Sequence, residues 1–274
     1  MHNSYSTYSL KAKMRHGLIQ PIMGTRMDVL IIGLDNDSSD FCFNEIVDEA
    51  YRVEKMLNKF SPDSEVSAIN NAATTKWTKV SDELWDILVD CKKYHELTHG
   101  CFDITLKNFT AIDFDFETKS VFFNEADIEL DLGAYGKGYA LEQIKQILIK
   151  HQVECALINL GNSSILAVGT HPYGEYWPIG IENPFNPKDV LGYMHLKDNS
   201  LSTSGNTPNH PKHIVNPHTG EFIESRKVIS VKMRNAVEAE ILSTALMVAS
   251  QQFINEMLQY FAVEEYSLYE LDKA

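Results

Sequence analysis

The sequence predicts a single α+β domain, and three observations support this fold class. The chain has 274 residues, 44% of them hydrophobic, which is enough for one large domain with a substantial core. Helical patterns occur mainly in the first half, whereas the second half is mostly short strands. No internal repeat, low-complexity tract or linker rich in Pro, Gly or Ser divides the chain. We therefore assign residues 1–22 to an N-terminal lead-in and residues 23–274 to the domain.

Helices account for most of the regular structure expected in the first hundred residues. Apolar residues recur there at helical spacing, and serines stand where helix N-caps are expected. The predicted elements are a strand at Met27–Ile32, a helix from Ser38 or Ser39 to about Phe60, a short helix starting at Ser64 with Glu65 in its first turn, and a helix at about Ser81–Leu97.

Short strands dominate the remainder of the chain. The predicted strands are Val121–Phe123, Ile128–Leu132, Ala156–Leu160, Ile165–Val168, Trp177–Ile181, Leu191–Leu196, His213–Val215 and Val228–Met233. Two helices interrupt them. One follows a glycine turn and runs to about Lys150, and the other is an amphipathic helix at Val237–Gln251.

The glycine turn is the stretch DLGAYGKG at residues 131–138. Gly133, Gly136 and Gly138 stand where a strand is expected to give way to a helix. Glycine allows positive φ and a close approach of the backbone to a ligand, while a helix start offers free N–H groups. With the positive charge of Lys137, this pattern predicts a phosphate site; a plain turn with a solvated lysine is the alternative.

Charge and composition exclude several classes of function. The net charge of −14 disfavours nucleic acid as a partner, since that affinity depends on clustered Lys and Arg. No apolar run reaches the roughly 18 residues of a transmembrane helix, and the start of the chain lacks the apolar region of a signal peptide. We therefore expect a cytoplasmic protein. Its four cysteines form no CxxC pair, which argues against a zinc site.

Three further segments could carry chemistry. His213 lies between two polar glycine turns and could act as a general base, although a lone histidine on a strand is often structural. Glu240 and Thr244 are four residues apart on one helix face and offer oxygen ligands for Mg²⁺; a capping or surface pair is the alternative. The acidic turns at 62–65 and 101–104 could hold a sugar or a heterocyclic ring, or be ordinary loops.

Taken together, eight short motifs resemble the FAD:protein FMN transferases, the ApbE family once labelled thiamine-biosynthesis lipoproteins. The motifs occur in the family's order and cover nearly the whole chain. They are MGT at 23–25, FSPDSEVSAIN at 60–70, THGCFDIT at 98–105, DLGAYGKGYALEQI at 131–144, INLG at 158–161, TSGN at 203–206, HIVNPHTG at 213–220 and AEILSTAL at 239–246. The resemblance implies a two-lobed domain with mixed or antiparallel sheets packed by helices.

The resemblance also implies a Mg²⁺-dependent enzyme that cleaves FAD and moves FMN onto a Thr or Ser hydroxyl of an acceptor protein, releasing AMP. It assigns catalysis to His213, as the base, and to Lys137, and metal binding to Glu240, Thr244 and the carbonyl of Ala134. The FAD-binding positions that it implies are Met23, Ser64, Glu65, Asp103, Gly133, Lys137, Gly138, Ser204 and Gly205.

Several residues depart from the family pattern. Glu240 stands where Asp is usual, and Asn216 and His218 replace the usual Asp and the frequent Arg of HxxDPxTG. After INLG, a usual second glycine is replaced by Asn162 and two serines. Many family members are lipid-anchored through an N-terminal cysteine, whereas the first cysteine here is Cys42, so we do not carry that location over. An FAD pyrophosphatase, or a flavin-binding protein with little turnover, remain alternatives to the transferase.

Overall fold

The computed structural model describes residues 3–208, 211–212 and 214–271. Its helices are α1 (Asn36–Leu57), α2 (Glu65–Ala72), α3 (Asp82–Leu97), α4 (Gly133–Lys150), α5 (Ala236–Val248) and α6 (Gln251–Tyr260), with one 3₁₀ turn at Phe109–Ala111. Its strands are β1 (Ser4–Ser9), β2 (Met14–Ile22), β3 (Thr25–Ile32), β4 (Thr78–Lys79), β5 (Ile112–Asp115), β6 (Ser120–Phe123), β7 (Cys155–Leu160), β8 (Ser164–Val168), β9 (Trp177–Glu182), β10 (Val190–Leu196), β11 (Asn199–Gly205), β12 (Val215–Asn216), β13 (Glu221–Phe222), β14 (Lys227–Met233) and β15 (Glu265–Glu270).

An eight-stranded antiparallel sheet forms the centre of the molecule. Its strand order is β1-β2-β3-β7-β8-β11-β14-β15. Smaller sheets are β4-β6-β5, the β9–β10 hairpin and the β12–β13 pair. This arrangement confirms the α+β class and the antiparallel sheets expected from the sequence.

Helices cover one face of the large sheet and the β9–β10 hairpin covers the other. Alternate residues of a strand point to opposite faces, and β3 shows this directly. Val29 and Ile31 pack with α1 and α4, whereas Leu30 and Ile32 pack in the cluster that includes Trp177 of the hairpin. On the helical side, α4 lies between α1 and α5, and α5 packs on β11 and β14.

A second lobe is built from α2, α3, α6 and the β4-β6-β5 sheet. Its buried side chains include Leu84, Leu88, Phe102 and Phe123, and they form one continuous core with residues of α5 and β14. Helix α5 therefore belongs to both lobes. It contacts β11 and β14 of the large sheet, and its buried residues also form part of the second-lobe core.

Serine caps fix the starts of α2 and α3, as the sequence predicts. The Ser64 hydroxyl accepts from the Ser67 N–H, and the Ser81 hydroxyl accepts from the Leu84 N–H. The first helix differs from its prediction at both ends. Asp35 caps it instead of a serine, with its carboxylate accepting from the Ser38 N–H, and the helix ends at Leu57 rather than near Phe60.

Most predicted strands are confirmed, with shifts of one or two residues, but some predictions were wrong. Ile128–Leu132 joins no sheet; it runs extended with its apolar side chains buried in the second lobe. The final helix was predicted too long: α5 ends at Val248, and a separate helix, α6, begins at Gln251 after a Ser250 cap. The segment set apart as the lead-in contributes β1 and β2 to the large sheet.

The predicted strand at His213–Val215 is only partly described. His213 lies outside the described residues, Ile214 is not in a strand, and Val215 begins the two-residue strand β12. Among the described residues, no helix has the length and apolar character needed to cross a bilayer.

Candidate active site

The stretch DLGAYGKG is not a turn followed by a helix, as predicted, but the start of the helix itself. Helix α4 begins at Gly133, whose N–H donates to Oδ1 of Asp131 at 2.9 Å. The three glycines therefore occupy the first two turns of α4, where each has helical geometry rather than positive φ. The sequence pattern therefore predicted the helix, but it placed the start several residues too late.

Gly138 has a packing role that explains why a helix interior tolerates glycine here. A Cβ atom at this position would lie 2.5 Å from the carbonyl oxygen of Ala236 and 2.8 Å from Cα of Val237. These are backbone atoms at the start of α5, which cannot rotate out of the way. Gly138 thus lets α4 and α5 approach closely, and this contact brings together the two helices that carry Lys137 and Glu240.

Lys137 and Glu240 form an ion pair between α4 and α5. The Lys137 ammonium lies 2.8 Å from Oε2 of Glu240, whose side chain is only 5% exposed while that of Lys137 is 23% exposed. The other carboxylate oxygen, Oε1, accepts hydrogen bonds from the hydroxyl of Ser202 at 2.9 Å and from that of Ser164. A buried carboxylate needs such partners, because loss of its hydration would otherwise be costly.

A chain of hydroxyl groups connects Glu240 with the part-exposed Thr244. Ser202 is 2.9 Å from Ser243, Ser243 is 2.8 Å from Ser204, and Ser204 is 3.3 Å from Thr244, measured between side-chain oxygens. Ser202 and Ser204 are two residues apart on β11 and so share the face that α5 covers. The sequence analysis singled out Glu240, Thr244 and Ser204. In the structure they are connected through Ser202 and Ser243, which the sequence analysis did not single out.

The proposed metal ligands have the right donor chemistry for Mg²⁺. Glu240 and Thr244 lie one turn apart on α5, and Ala134 lies in the first turn of α4, three residues before Lys137. Carboxylate, hydroxyl and carbonyl oxygens suit Mg²⁺, which commonly uses one or two carboxylates together with substrate phosphates. Because Lys137 is bonded to Oε2, a cation there requires the ammonium to leave that oxygen. Within the described part of the chain, no three His, Cys, Asp or Glu side chains converge on a metal position.

Four of the predicted FAD-binding residues lie outside α4 and β11, and each of them has a partner within the protein. The Glu65 carboxylate accepts from both the N–H and the hydroxyl of Ser81, each at 2.7 Å, and so ties the starts of α2 and α3 together. The buried Ser64 caps α2. The N–H of Met23 donates to Oε1 of Glu54 at 2.8 Å, and the backbone at Met23 has positive φ.

Asp103, the fourth of these residues, organises a loop beside a cavity. Its Oδ1 accepts from the N–H and hydroxyl of Thr105, both at 2.7 Å, and its Oδ2 accepts from the N–H of Phe109 at 2.9 Å. The cavity beside it measures about 300 Å³ and is lined by His95, His99, Gly100, Asp103, Lys107, Asn108, Phe109, Pro217 and His218. Its wall thus combines two of the recognised motifs, THGCFDIT and HIVNPHTG.

His95 and His99 were missed by the sequence analysis. They are four residues apart near the C-terminal end of α3, and His99 itself has positive φ just before Gly100. The His95 ring stacks on that of Phe109 with the ring centres 4.8 Å apart. The spacing of the two histidines was a usable signal, since His95 lies in the last turn of the predicted helix and His99 is the second residue of THGCFDIT, the predicted ligand loop.

His218, one of the family departures, faces the same cavity. Its Nε2 is 3.7 Å from Sγ of Cys101, and its backbone N–H donates to Oδ1 of Asn216 at 3.0 Å. Burial raises the pKa of the Cys101 thiol to about 11, so the thiol is protonated near neutral pH. The hydrogen bond from the His218 N–H shows the role of Asn216, whose side chain shapes the turn by accepting it. An aspartate in the same place could accept the same bond.

Gly205, at the end of β11, lies opposite Val228 of β14. A Cβ there would be 3.0 Å from the carbonyl oxygen of Lys227, so this glycine permits close pairing of the strands. The next residue, Asn206, is buried and donates to the carbonyl oxygens of Ile223 and Ser225. The end of β11 is thereby fixed against the segment that follows the HIVNPHTG motif.

Comparison with known proteins agrees with the sequence resemblance. A model of the ApbE family matches residues 23–120 and 109–266. A FAD:protein FMN transferase of Klebsiella pneumoniae is 23% identical, with 89% of this chain and 83% of the relative covered. One from Salmonella typhimurium is 22% identical, with 86% and 79% covered.

Solved structures with the same fold include two proteins described as ApbE. The flavin transferase ApbE of Vibrio cholerae superposes with a TM-score of 0.79 at 17% identity, and the ApbE protein of Thermotoga maritima with a TM-score of 0.77 at 20% identity. Each comparison covers 98% of this chain and 97% of the other. The two-lobed α+β fold expected from the motifs is confirmed, and with the family model spanning most of its length, the chain belongs to the ApbE family.

Proposed function

We propose that this protein transfers FMN from FAD to a Thr or Ser hydroxyl of an acceptor protein and releases AMP. Its relatives from Klebsiella and Salmonella carry the name FAD:protein FMN transferase. The single observation that supports the proposal best is the Lys137–Glu240 pair, held where α4 begins and backed by the hydroxyl chain to Thr244. It supplies a cation and oxygen donors together, as cleavage of a pyrophosphate requires.

In the proposed reaction, the acceptor oxygen forms a bond to the phosphorus of the FMN half of FAD. The bond from that phosphorus to the bridging oxygen breaks, and the bridging oxygen leaves with AMP. An imidazole nitrogen of His213 takes the proton of the acceptor hydroxyl, as the family motif implies. Lys137 binds the phosphates through its ammonium group, which reaches them by leaving Glu240. The cavity lined by Asp103, Phe109 and His218 is proposed to hold part of the FAD molecule.

The proposal includes Mg²⁺ as a cofactor, with Glu240, Thr244 and the carbonyl oxygen of Ala134 as the residues that would hold it. The bound ion would neutralise negative charge on the pyrophosphate. The three residues contribute only oxygen atoms, and they lie on the two helices that Gly138 brings into close contact.

A flavin-binding protein with little turnover is the second candidate, because both oxygens of Glu240 are already bonded within the protein. Oε2 is paired with Lys137, and Oε1 accepts from Ser164 and Ser202. A carboxylate satisfied in this way has less to gain from a metal ion. If water replaces the acceptor hydroxyl, the same site becomes that of an FAD pyrophosphatase, the third possibility.

One experiment separates the three functions. The purified protein is incubated with FAD and Mg²⁺, with and without a candidate acceptor protein, and AMP release and acceptor mass are followed. AMP together with an acceptor mass gain equal to one FMN group supports the transferase. AMP without a mass gain identifies hydrolysis, and bound FAD that stays intact identifies a binding protein. Lys137→Ala is the control variant, since it should abolish AMP release in either catalytic case.

A further inference from the structure

Glu240 is held asymmetrically, with one carboxylate oxygen turned inward and the other outward. Oε1 accepts hydrogen bonds from two hydroxyl groups of the large sheet, whereas Oε2 forms an ion pair with the ammonium of Lys137. The orientation of the carboxylate therefore depends on the groups that bind Oε1. A carboxylate without these two donors would be free to turn about its last carbon–carbon bond, and Oε2 would lose its fixed position.

The two donors come from neighbouring strands. Ser164 is the first residue of β8 and Ser202 lies in β11, and the two are direct partners in the antiparallel pairing of those strands. Both side chains emerge on the face covered by α5, and both residues are buried. Ser202 is also bonded to Ser243 of α5, so its position has a second support, whereas Ser164 has its neighbour Ser163 and Glu240 as partners.

We propose that Ser164 is a positioning residue, which holds the Glu240 carboxylate so that Oε2 is presented to Lys137 and to the proposed metal position. The role of Oε2 rests on the proposed function. The hold of Ser164 on Glu240 does not, because it concerns contacts within the protein alone. Ser164 touches neither phosphate nor metal in this scheme and acts only through Glu240.

The length of the glutamate side chain is part of this inference. An aspartate at position 240 would be shorter by one carbon–carbon bond, about 1.5 Å. With the helix unmoved, the shorter acid cannot keep hydrogen bonds to the sheet serines while also reaching Lys137. The influence of Ser164 should therefore be present with glutamate at position 240 and absent with aspartate.

The test is a double-mutant cycle of Ser164→Ala and Glu240→Asp, read out through the accessibility of Lys137. The amine is acetylated in the full-length protein without FAD or metal, and the rate is measured by mass spectrometry of the peptide. A lysine paired with a fixed carboxylate reacts slowly. Ser164→Ala should raise the Lys137 rate about tenfold, the size expected when a hydrogen bond to a charged group is lost.

Matched variants distinguish positioning from general loosening. Ser200 lies on the same face of β11, is buried, and its hydroxyl has no hydrogen-bond partner among the described residues. Ser200→Ala should therefore leave the Lys137 rate unchanged, and Ser164→Thr, which keeps the hydroxyl, should restore the slow rate. In the Glu240→Asp background, Ser164→Ala should change the Lys137 rate by less than about twofold, because Ser164 and the residue at position 240 no longer interact.

Two results would overturn the proposal. One is a Lys137 rate in Ser164→Ala equal to that of Ser200→Ala, and the other is the same effect of Ser164→Ala in both backgrounds at position 240. A parallel titration of FAD fluorescence against Mg²⁺ tests the proposed function separately. If the labelling cycle shows coupling while FAD binding ignores Mg²⁺, the positioning role stands and the metal role of Glu240 fails.

Discussion

Replacing Gly138 with alanine is the sharpest test of how the site is assembled, because the neighbouring Gly136 provides a matched control. A Cβ at Gly138 would lie 2.5 Å from the carbonyl oxygen of Ala236, a distance that real Cβ atoms do not adopt. At Gly136, the nearest atom would be Cδ1 of Leu57 at 3.4 Å, which is ordinary contact with a side chain that can rotate. Both glycines are buried within the first two turns of α4.

The two substitutions share the same gain in helix propensity, about 1 kcal/mol for alanine over glycine. They differ in the cost of overpacking, which is about 1–3 kcal/mol where the surrounding atoms are rigid. The shared gain cancels in the difference between the variants. Gly138→Ala should therefore be less stable than Gly136→Ala by about 1–3 kcal/mol, and Gly136→Ala should be as stable as the parent or slightly more so.

Thermal unfolding of both variants measures this difference. For domains of about 150–250 residues, 1 kcal/mol corresponds to roughly 2–4 °C in Tm, so the variants should differ by several degrees. Because α4 must move away from α5 to admit the methyl group, Gly138→Ala should also increase acetylation of Lys137. Equal melting temperatures for the two variants would show that α4 and α5 can separate freely, and the account of Gly138 as a position of close approach between them would be wrong.

Three further predictions concern single groups. His213→Ala should keep FAD binding, measured by flavin fluorescence, but slow acceptor flavinylation about 10²–10⁴-fold, since the base acts only on the acceptor hydroxyl; an unchanged rate removes it from the mechanism. Thr244→Ala should raise the half-saturating Mg²⁺ concentration for AMP release at least about tenfold while changing the Kd for FAD less. Cys101, with its pKa raised to about 11 by burial, should resist iodoacetamide at pH 8, where roughly one thiol in a thousand is ionised, and react faster as the pH rises; rapid labelling at pH 8 contradicts its buried position.

The sequence predicted helices α2 and α3 of the second lobe well because their signals are local. Ser64 and Ser81 each cap a helix, and the apolar spacing that follows them is set by the same few residues that form the element. Strands with one polar face were harder to predict from the sequence. The strand Asn199–Gly205 was missed because its serines alternate toward a hydroxyl network and only Leu201 among its seven residues is a large apolar residue. The polar edge strand Ser4–Ser9 was missed for a similar reason.

The candidate site was predicted in its parts but not in its connections. Lys137 and Glu240 were both singled out, one for phosphate and one for metal, yet they are 103 residues apart and nothing local shows that they form an ion pair. Ser164 and Ser202 were not candidates, because a serine in a strand has no signal of its own. Two departures from the family pattern were visible in the sequence: serines interrupt the usual pattern after INLG, and Glu240 replaces the usual aspartate. In the structure these two departures are in contact.

The glycine stretch shows how a motif can mark a site for a reason other than the one first considered. Both interpretations of the sequence, a phosphate cradle and a plain turn, assumed that the glycines bend the chain. In the structure all three glycines are helical, and Gly138 allows the close contact with Ala236. Glu240 is one helical turn beyond Ala236 on α5, and Lys137 directly precedes Gly138 on α4. The close approach that requires glycine therefore also sets the distance across which the lysine meets the carboxylate. A substituent at Gly138 should accordingly weaken the ion pair as well as the packing, and these two effects should appear together.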